Sequence, residues 1–93
     1  MHLLIRLKVK DYAKWKTVFD ERQPLRVQHG AKRHWLHRSA DDGNEVVISI
    51  EFPSVEAARG YADDPSLREA MARAGVQGPP TFVFMDDVES VAY

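Results

Sequence analysis

The sequence contains no cysteine. Disulfide bridges, thiolate nucleophiles and thiolate metal ligands are therefore excluded. The sequence also lacks any apolar run near the roughly 18 residues that a membrane-spanning helix needs. Arg6 and Lys8 interrupt the first apolar stretch, which leaves no hydrophobic region of a signal peptide. We therefore expect a cytoplasmic protein with no membrane partner.

The sequence also has no large excess of positive or negative charge. Thirteen lysines and arginines stand against 14 aspartates and glutamates, for a net charge of −1. Such a chain has no overall field to attract nucleic acid. The basic stretch 32–38 is followed at once by Asp41, Asp42 and Glu45, so no extended basic face forms. We expect no nucleic-acid partner.

Familiar catalytic motifs are absent as well. The five glycines form no phosphate-binding loop, dinucleotide fingerprint or nucleophile elbow. His34 and His37 are the one pair that suggests a metal, but residues three apart on a strand point to opposite faces. No carboxylate at a suitable spacing completes a site there. We expect neither a metal nor another cofactor.

Aromatic residues, in contrast, are plentiful: two tryptophans, three tyrosines and four phenylalanines in 93 residues. Tyr12, Trp15, Phe19 and Arg22 follow one another at helical spacing. Asp11 is a suitable N-cap before them. A helix is predicted over about residues 12–28, with a kink or break at Pro24, because proline lacks the N–H that continues a helix.

Strands are predicted on either side of this helix, where apolar residues alternate with polar ones. The predicted strands are 3–9, 31–38, 45–52 and 81–85, and further helices are predicted over Val55–Ala62 and 65–74. The turn 40–44 makes the second and third strands a hairpin. Residues 78–80 are predicted to be a stiff linker, and Arg6 or Lys8 is expected to pair with Glu51.

This order predicts one α+β domain over residues 1–93. Its architecture is ferredoxin-like βαββαβ, an antiparallel four-stranded sheet with helices on one face. The other sheet face carries Leu4 and Val47 and is expected to pack on a second copy, giving a homodimer. Residues 86–93 are interpreted either as a loose tail or as an arm that lies on a partner subunit.

A ligand pocket is predicted between the sheet and the helices, since aromatic cavities with a few polar groups are typical small-molecule sites. Arg22 and either His34 or His37 are the polar groups expected to reach it. The alternative is that the aromatic residues simply fill the core. The predicted floor is Ile5, Leu7 and Ile48, and the predicted walls are Tyr12, Trp15, Phe19, Tyr61 and Met71.

The chain resembles the dimeric α+β barrel superfamily, nearest to antibiotic-biosynthesis-monooxygenase-like proteins and small cyclase-like proteins. Residues 9–20, the hairpin 38–46, and residues 65–71 leading to 78–80 carry the resemblance, which spans residues 3–85. It implies a homodimer whose two sheets close into a barrel, with a ligand cavity in each subunit. The haem-degrading branch is a poor match, because it relies on a first-strand asparagine and the one asparagine here is Asn44, in a turn.

Two functions are considered, the first from this resemblance and the second because few polar groups are expected in the predicted pocket. The first is a cofactor-independent oxygenase or cyclase that acts on aromatic or polyketide-like substrates. Its catalytic residues would be His37, Arg22 and Tyr61, and its ligand-binding residues would be Tyr12, Trp15, Phe19, His34 and Met71. The second is a non-catalytic dimeric protein that binds a small molecule or serves as an accessory protein.

Overall fold

A computed structural model describes residues 1–93. The strands form one antiparallel sheet with the order β2-β3-β1-β4, which confirms the predicted ferredoxin-like architecture. The elements along the chain are β1 (His2–Val9), α1 (Tyr12–Glu21), α2 (Gln23–Gln28), β2 (Arg33–Arg38), β3 (Glu45–Glu51), α3 (Val55–Ala62), α4 (Pro65–Arg73) and β4 (Val76–Met85).

The first helical stretch breaks where proline predicted a break. Pro24 lies in the first turn of α2, where its missing N–H costs no hydrogen bond, and Arg22 separates the two helices. The cap at the start of α1 is also as predicted: Asp11 Oδ1 accepts hydrogen bonds from the backbone N–H groups of Ala13 at 3.0 Å and Lys14 at 3.4 Å. The aromatic stripe therefore begins at a defined point beside β1.

The core lies between the two central strands and the helices. Leu3, Ile5, Leu7 and Val9 of β1 are at most 5% exposed, and they share a face with Val46, Ile48 and Ile50 of β3. Ile5 lies opposite Ile48 in the antiparallel register. The alternation of side chains on each strand puts all of these residues under the helices. The other face keeps its charged residues in solvent.

The last strand is longer than predicted. It begins at Val76, so residues 78–80 belong to β4 and are not a linker. Two prolines are tolerated because β4 is an edge strand with a single neighbour. Gly78, at φ +71°, lies where the pairing register with β1 shifts between Arg6 and Lys8. Proline alone was a misleading signal for the strand boundary.

The predicted ion pair to Glu51 was also wrong. The antiparallel register places Glu51 opposite His2, at the far end of β1 from Lys8. Arg6 instead donates to Glu45, at 2.7 Å from its Nε, and Glu51 lies 3.3 Å from the Nε of Arg33. The strand direction, and not the sign of the charges alone, selects the partners.

The C-terminal residues 86–93 have no regular structure and are mostly exposed. Their one charged anchor is Asp87, whose carboxylate accepts from the Met1 amino group at 2.7 Å and lies 2.5 Å from His2 Nδ1. These hydrogen bonds, first that of the amino group and then that of His2, lower the pKa of Asp87. None of the four helices is long and apolar enough to cross a membrane.

Candidate functional site

A cavity of about 40 Å³ lies between the sheet and the helices. Its lining includes five of the predicted site residues, which are Trp15, Phe19, Arg22, Tyr61 and Met71, and the whole predicted floor of Ile5, Leu7 and Ile48. Trp15 and Phe19 stack with their ring centroids 4.9 Å apart. Helical spacing along α1 and strand alternation in β1 and β3 therefore predicted much of the lining of this cavity.

Three predicted residues lie elsewhere. Tyr12 packs under the Arg38 guanidinium at 3.9 Å, at the start of α1. His34 faces the helices, with its ring 5.1 Å from that of Phe19, but it lines a separate pocket. His37 points to the uncovered face, where it lines an open groove with His2 and Trp35. Strand alternation from His34 forces this placement, so His37 cannot reach the cavity.

Sequence reasoning missed the most buried polar residue, Arg26. It is 2% exposed and lines the cavity beside Arg22. Its guanidinium carbon lies 3.7 Å from the centre of the Phe19 ring. The spacing did hold a signal, because Arg26 continues the stripe of Phe19 and Arg22 by four residues. The predicted stripe stopped at Arg22 because a break was expected at Pro24. The helical hydrogen bond across the proline is kept, however, from the Arg26 N–H to the Arg22 carbonyl at 3.2 Å.

Both arginines keep buried N–H groups without a hydrogen-bond partner. In Arg26 these are Nε and Nη2, and in Arg22 the atom is Nε. Burial lowers the pKa of Arg26, although Tyr61 and Asp20 favour its charged form. No carboxylate lines the cavity. Unpartnered buried donors are costly, so this cavity is suited to a ligand that brings an oxygen with negative charge.

Tyr61 is the neutral polar group of the cavity. It is 2% exposed, and its ring lies 5.7 Å from Phe52 and 5.9 Å from His29. Burial raises the pKa of Tyr61, against the opposing influence of Arg26 and Arg22. The side chain therefore stays protonated at neutral pH and can donate a hydrogen bond.

A chain of hydrogen bonds orients Arg22 from outside the cavity. Arg22 Nη2 donates to Ser66 Oγ at 3.2 Å, and the Ser66 hydroxyl donates to Asp64 Oδ1 at 2.8 Å. His29 Nε2 lies 2.9 Å from Asp64 Oδ2, and because a carboxylate accepts, His29 is the donor. These contacts join the two caps of α2, Arg22 and His29, to the start of α4, and the Arg22 Nε stays buried without a partner.

Because of the same hydrogen bonds, the contribution of Asp64 to the free energy of unfolding depends on pH. Hydrogen bonds from His29 first, and then from Ser66, lower the pKa of Asp64 from 3.8 to about 2. A carboxylate with a depressed pKa stabilises the fold fully above the unfolded value and loses that contribution as the pH falls through the folded value. The loss therefore occurs between about pH 4 and pH 2.

We expect Asp64→Asn to flatten the decline in the free energy of unfolding over this range, measured by urea denaturation at several pH values. Asp63→Asn is the matched control, because the Asp63 side chain is exposed and next in sequence. It should keep the wild-type slope. A wild-type slope in Asp64→Asn would mean that the hydrogen bonds to Asp64 do not stabilise the fold.

No family model matches the sequence, and no curated protein matches it significantly. Solved structures, in contrast, do match the chain. A candidate antibiotic biosynthesis monooxygenase from Bordetella bronchiseptica superposes with a TM-score of 0.80 at 15% identity, over 95% of this chain and 96% of that one. A cofactor-independent oxygenase from Streptomyces nogalater gives 0.71 at 19% identity, over 94% and 93% of the two chains.

A third structure is a monooxygenase from Streptomyces coelicolor in complex with the ligand nanaomycin D. Its TM-score is 0.70 at 26% identity, over 98% of this chain and 89% of that one. In each case the match spans nearly the whole of both chains, so it concerns the complete fold and not one motif. The chain therefore has the ferredoxin-like α+β fold of the antibiotic biosynthesis monooxygenase-like proteins.

Proposed function

We propose that this protein is a cytoplasmic enzyme of the cofactor-independent monooxygenase type, which oxidises aromatic or polyketide-like phenols in the cavity between sheet and helices. One observation carries the proposal. Arg26 is almost fully buried in an apolar, aromatic cavity, and two of its nitrogens have no partner. A phenolate or enolate oxygen would satisfy those donors. The names of the structural neighbours support the reaction type.

The arginines would favour ionisation of the substrate. A guanidinium that hydrogen-bonds to a bound phenol stabilises its anion and so lowers its pKa. The resulting electron-rich ring system can react with dioxygen without a cofactor. In an anthrone-like substrate the two C–H bonds of the central methylene are replaced by a C=O bond. One oxygen atom enters the product and the other leaves as water, so electrons balance with no further reductant.

The other polar residues have supporting functions in this proposal. Arg22 provides a second donor, which the Ser66–Asp64 contacts hold in position. Tyr61 stays protonated and can donate to oxygen-derived negative charge. His37 has no part, because it lies on the other sheet face. Trp15 and Phe19 provide the apolar wall against which the rings of the substrate pack.

The cavity must open to hold a ring system. At about 40 Å³ it has room for only a few water molecules. A neighbouring groove of about 440 Å³ lies between α4 and β4, and it shares Leu67 and Met71 with the cavity. Met71 is flexible and half-buried. A change of its rotamer would join the two spaces into one of the size that drug-like ligands occupy.

The proposal is tested by oxygen consumption. Anthrone and related polycyclic phenols are added to the full-length protein, with the protein-free autoxidation rate subtracted, and quinone formation is followed by absorbance. Quenching of tryptophan fluorescence reports binding, since Trp15 lines the cavity. We expect saturable quenching and oxygen uptake with a stoichiometry of one per quinone. No uptake above autoxidation across the series would refute an oxygenase.

A non-catalytic binding protein is the second candidate. The observation in its favour is that no carboxylate or histidine lines the cavity to act as a general base. The same experiment separates the two functions. Saturable quenching without oxygen uptake would establish binding alone.

We also propose a homodimer that forms through the uncovered sheet face. Trp35 and Val83 on this face are 39% and 42% exposed. Leu4 and Val47 lie beside them, half-buried. A second copy packed on this face would remove the combined apolar surface from water.

The wild-type protein is expected to sediment at about twice 10.6 kDa. We expect Trp35→Glu to shift it to the monomer mass, because the substitution would bury like charges against each other. Val27→Glu serves as the matched control, since Val27 is 59% exposed on α2, away from this face. A wild-type monomer at micromolar concentration would refute the dimer.

A further inference from the structure

Arg26 lines two spaces, the aromatic cavity and a second pocket at the edge of the sheet. This second space, which we name the basic pocket, has a volume of about 60 Å³. Its polar lining residues are Gln23, Arg26, Lys32, Arg33 and His34. None of the residues that line it is acidic. Arg26 therefore borders both an apolar space and a cationic one.

The charges around the basic pocket favour an anion. Arg33 already pairs with Glu51, at 3.3 Å, so Lys32 and Arg26 supply the free positive charge. His34 has a lowered pKa, caused by partial burial first and then by Arg26 and Lys16, with Asp20 opposing. Asp20 is itself bound to Lys16 Nζ at 2.6 Å. At neutral pH His34 is thus an uncharged hydrogen-bond donor in a cationic setting.

Arg26 supplies the link between the two spaces. Its Nε and Nη2 are both buried and unpartnered. Each of these nitrogens can donate to a different oxygen, so one is available for a carboxylate while the other bonds to the phenol oxygen. The linings assign the two parts of such a ligand: the cationic basic pocket suits a carboxylate, and the apolar, aromatic cavity suits a ring.

We propose that the basic pocket binds the carboxylate of an aromatic acid whose ring occupies the cavity. The ligand class is thus an aromatic carboxylic acid, held through Arg26, Lys32 and His34. This inference rests on the proposed function, because it assigns the substrate class of the same site. It adds a second anchoring point to the phenol oxygen that the reaction requires.

Benzoate and benzyl alcohol test the inference as a pair that differs in the carboxylate. Each is titrated into the full-length, ¹⁵N-labelled protein, and NMR follows the Arg26 Nε–H and His34 ring signals. We expect benzoate to shift both signals and to bind about tenfold more tightly than benzyl alcohol. Lys32→Gln should weaken benzoate binding about fivefold and leave benzyl alcohol unchanged.

Lys14→Gln is the matched control, because Lys14 is exposed on α1 and lines neither space. It should leave both affinities unchanged. Equal affinities for the two probes, an unshifted His34 signal, or equal weakening of both probes by Lys32→Gln would each overturn the inference.

The outcomes are distinct from those for the proposed function. Oxygen uptake with neutral phenols and no preference for benzoate would overturn the aromatic-acid inference and retain the oxygenase. Selective benzoate binding without any oxygen uptake would support the anion pocket and refute the oxygenase.

Discussion

Arg26→Met is expected to abolish function without loss of stability. Turnover of a phenolic substrate should fall by about a hundredfold or more, the usual effect of removing a donor aimed at a developing oxyanion. The free energy of unfolding should be unchanged or higher by up to about 2 kcal/mol, because methionine removes the buried donors that lack partners. The lost contact with the Phe19 ring, at 3.7 Å, offsets part of that gain.

A substitution that lowers activity and does not lower stability indicates that the original side chain serves binding or catalysis and not folding. Oxygen uptake and urea denaturation of the same preparation measure the two effects. Arg73→Met is the matched control, since Arg73 forms an exposed ion pair with Glu21 at 3.4 Å. It should change neither quantity by much. A clear loss of stability in Arg26→Met would instead show that Arg26 is a structural residue of the core.

Phe52→Ala is expected to cause the largest loss of stability. Phe52 is 1% exposed and packs against the Tyr61 ring at 5.7 Å. Truncation of a fully buried phenylalanine costs about 3–5 kcal/mol, through lost burial and the cavity left behind. Domains of this size have only about 5–15 kcal/mol of stability. The melting temperature should therefore fall by roughly 12–40 °C.

Phe84→Ala is the matched control for this substitution. Phe84 lies on the edge strand β4, is half-buried, and has the Arg59 guanidinium 4.5 Å above its ring. Its truncation should cost clearly less. Both variants are compared at one protein concentration, because the proposed dimer would make the melting temperature depend on concentration. Equal losses would show that the full burial of Phe52 does not determine its contribution to stability.

Most of the fold was predictable because its signals are local. Asp11 caps α1 as expected, and at the start of α3 Ser54 Oγ accepts from the Ala57 N–H at 3.1 Å. Alternation along β1 and β3 identified the buried face. The prolines of β4 led to a wrong start for that strand. A strand tolerates proline when it lies at the edge of the sheet, and the order of the strands depends on the whole chain.

The lining of the cavity was predictable in part for the same reason. Trp15, Phe19 and Tyr61 line it as predicted, because an amphipathic face must meet the sheet. His37 was assigned to the cavity in error, since the choice between the two faces of β2 depends on its register with β3. Arg26 was overlooked because arginine is rarely buried, and only the packed structure shows that its charged group is enclosed.

The sequence by itself determined the element types, the caps, the helical break and the apolar faces, since each follows from neighbours along the chain. Only the tertiary structure decided which polar groups converge. Arg22 lies between α1 and α2, Arg26 in α2 and Tyr61 in α3, and the hydrogen bond between His29 and Asp64 joins residues 35 positions apart. Burial also depends on everything packed around a side chain. The chemistry of the cavity is therefore a property of the folded chain.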